Sequence, residues 1–217
     1  MSTLAKVAMG MIGHLEAKPL ETSQLAVINL PAPAQDGGLP LMEALRLRGS
    51  QREFLPTPLP PQVLSDLLWA AYGVNRPAEN GHTAPTARNA QEIDVYAAMP
   101  TGLYLYEPVS HCLQLVESSD VRRVTGYQDF VDDAPLDLIY VADHGRMKQI
   151  PAAQRDSFAS VAAGAISENV YLYCASAGLA TVIRAWIDRT ALGEAMGLPP
   201  DGQILLSQTV GYPTRKH

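Results

Sequence analysis

Apolar side chains recur along this chain with two periods, and the switch between them marks out its elements. Val63, Leu64, Leu67, Leu68, Ala71 and Tyr72 fall on one helical stripe; Pro61 suits the first turn and Gly73 offers a left-handed stop. A shorter stripe of Leu41, Ala44 and Leu45 predicts a helix over Leu41–Leu47, opened by Pro40. Ser157–Ala177 reads as a long central helix closed by Gly178, and Asp188 as the cap of a helix running to Met196 and stopped by Gly197. The period shortens to two over Glu92–Ala98, where Ile93, Val95 and Ala97 alternate with polar neighbours. Leu103–Tyr106 and Cys112–Val116 flank a turn at Pro108–Ser110 and read as a hairpin. Leu136–Ala142, apolar but for Asp137, is a run fit for an interior strand, and Gln203–Val210 predicts a last strand ahead of Gly211, Tyr212 and Pro213.

The polar stretch from Asn75 to Asn89 is a loop long enough to be functional. Ahead of these elements lies a lead segment, residues 1–38, with a short helix, an extended Leu25–Leu30 and the punctuation Pro31, Pro33, Asp36, Gly37, Gly38. Residues 39–217 then form the main domain. Strands and helices do not alternate regularly, which favours an α+β fold over a doubly wound sheet.

Composition narrows the function. With 217 residues, 47% of them hydrophobic, the chain can bury a core without metal or disulfide. A net charge of −6 argues against a general grip on nucleic acid or anionic lipid, both of which need a basic field. The apolar run Val7–Gly13 is too short for a signal peptide, and Phe158–Ile183 carries Glu168 and Asn169 at its middle, so it reads as a buried helix and not a membrane span. Cys112 and Cys174 stand 62 positions apart with no second ligand pair, so zinc and a disulfide framework are not expected. The expected location is the cytoplasm.

Arg46, Arg48 and Arg52, with Gly49 and Ser50 among them, put guanidinium groups, a hydroxyl and an unhindered amide within a few residues. Such a tract suits a phosphate; it equally suits a solvated helix end whose cations complement the helix dipole. Motifs for dinucleotide folds, nucleotide triphosphatases, zinc proteases and serine esterases are missing. The adjacent Asp143 and His144 read as an exposed loop pair, His111 beside Cys112 lacks further metal ligands, and Cys174 reads as a small core side chain. Without a conventional acid, base or metal, the chain can still catalyse if a cofactor brings the reactivity.

Four spaced tracts resemble the flavin-dependent nitroreductase superfamily. Arg48–Phe54, RGSQREF, is similar to the family's RRSxRxF; Ala84–Gln91, APTARNAQ, to its PSxxNxQ loop; Ala177–Thr181, AGLAT, to its GLG turn; and Val210–Pro213, VGYP, to its closing GYP. INLPAP and LLWAAYGVNR lean toward the branch of SagB/ThcOx-type dehydrogenases. The resemblance implies a mostly antiparallel central sheet flanked by helices, in an intertwined homodimer that holds FMN at its interface, with NAD(P)H as co-substrate. It implies further that Arg48, with Gly49 and Ser50, binds the phosphate and ribityl end, and that Arg52 approaches the pyrimidine edge. Asn89, with Thr86, would meet the ring edge; the backbone of Arg184, Ala185 and Trp186 would face N5; Arg215, then Lys216, would close on the phosphate. No catalytic side chain is implied, since flavin N5 carries the chemistry. The sequence departs from the family at Gly49, at Glu92-Ile93 and at Ala180, and no match is found for the paired Lys and Tyr of azoline-oxidising relatives. The implied reaction is reduction of a nitroaromatic, quinone or similar small acceptor; oxidation of a peptide-derived azoline and non-catalytic flavin binding are the rivals.

Overall fold

The computed structural model describes residues 1–20 and 25–214. In chain order its principal elements are α1 (Thr3–Met11), β1 (Val27–Asn29), α2 (Leu41–Leu47), β2 (Phe54–Leu55), α3 (Pro61–Tyr72), β3 (Ile93–Met99), β4 (Gly102–Glu107) and β5 (Cys112–Glu117). There follow β6 (Leu136–Asp143), α4 (Ala152–Ala177), β7 (Ala180–Arg184), α5 (Arg189–Met196) and β8 (Gly202–Pro213). One antiparallel sheet runs in the order β7-β8-β6-β3-β4-β5-β1, with β2 paired to the end of β8. This is an α+β fold, as the irregular order of elements predicts.

β6 lies inside the sheet, Leu138 pairing with Ala97 on one side and Gln208 on the other. All seven residues from Leu136 to Ala142 are buried, which is why the run shows no alternation. α4 packs on one face of the sheet with α3 beside it; Ala159, Ala163, Ile166, Val170 and Cys174 form its buried stripe at helical spacing. The opposite face carries α5 and Leu15, which pack on Ala98, Leu103, Ile139, Val141 and Ile204. No helix among the described residues is long and apolar enough to cross a membrane.

α2 and α3 occupy the residues their prolines and apolar stripes predict. α4 starts at Ala152, ahead of the expected Ser157, because its first turn, Ala152–Asp156, projects from the core and carries no apolar pattern. β8 continues past Val210 to Pro213, since β7 and then β2 give its far end partners. The expected loop after Asn75 contains a small ladder between Val74–Arg76 and Gly81–His82. The lead segment adds β1 to the sheet edge, Val27–Asn29 lying against Cys112–Gln114.

Candidate flavin site

Leaving α2, the chain straightens at Arg48, whose φ of −53° and ψ of 126° are not helical. The strand-like stretch that follows docks beside β7, where Gln51 N donates to Thr181 O at 2.9 Å. Tyr171, near the end of α4, organises the junction. Its hydroxyl accepts from Ile183 N at 3.0 Å and shares a 2.7 Å hydrogen bond with Ser50 Oγ. The Arg48 guanidinium carbon stands 5.2 Å from the centre of the Tyr171 ring, within cation–π range.

Ser50, Gln51, Tyr171 and Thr181 border a cavity of about 780 Å³, of a size that holds a small-molecule cofactor; Arg48 is not among its lining residues but stands over the Tyr171 ring, which is. Its wall includes Gly49, Ser50 and Gln51, then Gly178 and Leu179 after α4, then Tyr212 and Pro213 from β8. Three of the four tracts singled out in the sequence therefore converge. Gly178 makes the turn with φ +69°, a conformation costly for other residues, and Gly211 is required for close packing, since a Cβ there would lie 2.8 Å from Pro135 Cδ. Gln51 Oε1 is buried without a hydrogen-bond partner, a capacity a bound polar ligand would satisfy.

The fourth tract stands elsewhere. Neither Thr86 nor Asn89 is among the described residues lining that cavity. Their loop is tied to itself: Thr86 Oγ1 accepts from Gln91 N at 3.0 Å, and Gln91 Nε2 donates to Asn89 Oδ1 at 3.3 Å and to Asn80 O at 2.5 Å. Arg146 staples its base, donating to Gln91 O at 2.7 Å and pairing with Asp94 and Asp143. Arg88, Asn89 and Gln91 all have φ near +50°, an arrangement that costs free energy in residues with a Cβ.

The remaining candidates divide. Arg52 borders a second, open cleft beside Glu53, Phe54, Phe130 and Thr214, so it does not share a cavity with Ser50. The Arg184 side chain is turned inward, its Nη2 meeting Asp137 Oδ1 at 2.6 Å and its Nη1 donating to Thr125 O at 2.8 Å. Burial pushes the Asp137 carboxyl up and the Arg184 guanidinium down, and the pair with its Thr209 hydrogen bond opposes both shifts. The guanidinium thus anchors the strand from within and leaves only backbone available to a ligand. Ala185 and Trp186 are exposed. Arg215 and Lys216 lie outside the described residues; the chain reaches them just after Thr214, which donates to Glu53 Oε2 at 2.8 Å. Tyr171 escaped the sequence reading because a tyrosine within an apolar helix looks like core.

Three minor candidates settle into structural roles. Asp143 accepts from Gly145 N and His144 hydrogen-bonds to Gln203, while His111 bridges Ser65 and Tyr106. Cys174 is fully buried.

Similarity to known proteins agrees with this arrangement. Residues 45–212 match the Nitroreductase family. A protein of Methanocaldococcus jannaschii assigned as a nitroreductase is 30% identical over 153 residues, 65% of this chain and 76% of its own length. A crystal structure from Ralstonia eutropha, also assigned as a nitroreductase, is 52% identical and superposes with a TM-score of 0.89 over 93% of this chain and 96% of that one. The NADPH:FMN oxidoreductase of Vibrio harveyi, complexed with NAD+, shares the fold at 17% identity and TM-score 0.59, over 81% of this chain and 70% of that one. A chain of the Escherichia coli microcin synthetase McbBCD complex, with truncated pro-MccB17 bound, shares it at 16% identity and TM-score 0.68, over 98% and 94%. The convergence of the three tracts and the family match over most of the chain lead to one assignment: this protein is a member of the nitroreductase family.

Proposed function

We propose that the protein is an FMN-dependent oxidoreductase that passes a hydride from NAD(P)H to a small acceptor, a nitroaromatic or a quinone, as a cytoplasmic homodimer. The observation that carries this reading is the meeting of Ser50, Gln51 and Tyr171 with the Gly178 turn and the Tyr212-Pro213 end around one cavity, with the Arg48 guanidinium over the Tyr171 ring. The donor set fits a flavin nucleotide: a guanidinium for the phosphate, hydroxyls for the ribityl chain, and a buried, unpartnered amide oxygen.

In this reading Arg48 holds the phosphate, joined by Arg215 and Lys216 from the tail, and Ser50 lies at the ribityl end. Arg52 stands on a separate cleft within one chain and is assigned no contact with the flavin. The backbone of Arg184, Ala185 and Trp186 serves the N5 side. Thr86 and Asn89 reach the ring edge from a second copy of the chain, which accounts for their separation from the cavity within one chain. When bound, FMN supplies reversible hydride exchange at N5. The protein's share is to bind and orient, and protons come from water.

The test is an anaerobic absorption spectrum of the purified protein before and after NADH or NADPH. A yellow protein that bleaches with a nicotinamide bears the proposal out. A colourless protein unaltered by added FMN defeats it, and a yellow one that bleaches with neither reduces it to flavin binding. A second reading, oxidation of a peptide-derived azoline, is favoured by the extent of the likeness to the microcin synthetase chain, which covers 98% of this chain against 81% for the Vibrio harveyi enzyme. Turnover of an azoline peptide without NAD(P)H would establish it.

A further inference from the structure

β7 ends at Arg184, and two residues later the Trp186 side chain stands 52% exposed. An indole so placed forgoes burial, yet its position is braced from behind. The Tyr127 ring lies against it, centroids 5.2 Å apart and tilted by 49°, and Tyr127 N donates to Trp186 O at 3.4 Å. Tyr127 is in turn backed by α1. At Gly10 the helix comes so close that a Cβ would sit 2.7 Å from Tyr127 Cε1 and 2.9 Å from Asp188 Oδ2. Lys6 pins α1 in place: its side chain is fully buried, and Nζ donates to Asp132 Oδ1 at 2.6 Å and Gln128 O at 3.1 Å.

α1 lies outside residues 45–212, the part of the chain that matches the family. An element outside the family match thus fixes an aromatic side chain at the end of the strand that the proposed function sets against the flavin's reactive side. We infer that Trp186, braced by Tyr127 and α1, is the stacking platform for a planar aromatic acceptor, and so determines specificity for aromatic over inorganic acceptors. The inference rests on the flavin reading above. Its chemistry is the offset stacking of an electron-poor ring on the electron-rich face of an indole. An inorganic acceptor gains nothing from such a surface.

The experiment compares the FMN-loaded protein with Trp186→Ala and Trp186→Phe, using menadione as the planar acceptor and ferricyanide as the inorganic one. In Trp186→Ala, kcat/KM for menadione is expected to fall at least tenfold further than for ferricyanide, chiefly through KM. Trp186→Phe should recover most of that loss. Tyr127→Leu, which removes the brace and leaves the indole, should raise the menadione KM severalfold. A binding readout independent of turnover is available because the chain has two tryptophans, Trp69 and Trp186. Naphthalene-2-sulfonate, which accepts no hydride, should quench tryptophan emission saturably in the wild type and not in Trp186→Phe.

Equal losses with both acceptors, an undiminished quench in Trp186→Phe, or a changed oligomeric state in Trp186→Ala would each overturn the inference. Failure of the flavin reading looks different, since the wild-type protein itself would then be colourless or would not bleach.

Discussion

The two stretches that the proposed function gives to the flavin's phosphate and ribityl end and to its ring edge are held by different physics. Arg48–Gln51 is wired into the long-range structure, through Tyr171 on α4 and Thr181 on β7, each more than 100 positions away in sequence. Ala84–Gln91 is tied to near neighbours, Asn80 among them, with Arg146 clamping one end and three residues held at positive φ. The first is a preformed wall whose geometry the sheet dictates. The second is a local turn whose stored strain is set against its own hydrogen bonds. The wall should therefore resist perturbation until its anchors are cut, and the loop should respond to its local chemistry.

The deepest anchor of the wall is the pair of Arg184 and Asp137, both buried to within 5% of full enclosure. Arg184→Ala would leave Asp137 charged and enclosed, a loss of about 3 to 5 kcal/mol. The expected result is a markedly lowered urea midpoint, with a smaller loss at pH 5 than at pH 8, because an unpaired Asp137 escapes by binding a proton. A wild-type midpoint at both pH values would show that β7 does not depend on this anchor.

At the surface of the same wall, Arg48→Ala removes the charge-assisted contact that the proposed function gives to the phosphate, and no core volume. Such contacts contribute about 1.5 to 3 kcal/mol, so FMN affinity should drop roughly 10- to 100-fold while the fold is retained. Flavin titration with circular dichroism checks both halves, and a variant that purifies with full flavin would argue against the assignment. Tyr171→Phe is milder. It keeps the ring beneath Arg48 but strips the oxygen shared by Ser50 Oγ and Ile183 N. One hydrogen-bonding group contributes about 1 kcal/mol, so FMN affinity should fall about fivefold. A loss as large as that of Arg48→Ala would mean that the hydroxyl, and not the cation, dominates the site.

The wall's components were legible in the sequence one by one, but its wiring was not. Pro61 and Gly73 mark the ends of α3, and the Leu136–Ala142 run, apolar but for Asp137, marks the central strand, because these signals are local. The basic tract, the Gly178 turn and the Tyr212-Pro213 end stand out as chemistry without revealing that they share a cavity. That Tyr171 bridges Ser50 and Ile183, or that Arg184 spends its charge on Asp137 and not on a ligand, depends on contacts between residues 12 to 121 positions apart. No periodicity encodes such pairings. The small ladder after α3 was hidden for the opposite reason: its two- and three-residue strands are too short to show any period.

The loop offers the finest test, through Glu92 at its base. This side chain is fully buried, and neither carboxylate oxygen has a hydrogen-bond partner. Burial raises its pKa above the ordinary carboxylate value, with the nearby Arg146 opposing only in part. In the unfolded chain Glu92 releases its proton near pH 4.5, whereas the folded protein retains it to higher pH. Across that window the folded state binds more protons than the unfolded state, so this residue makes stability fall as pH rises. Below the window both states are protonated and no penalty applies. Glu92→Gln cannot ionise and loses that slope. The variant should match the wild type most closely in acid and gain on it steadily as pH is raised, as read from urea midpoints at several pH values. Parallel curves for the two proteins would mean that Glu92 is ionised and satisfied in the folded state, and that the loop's base is wired as firmly as the wall.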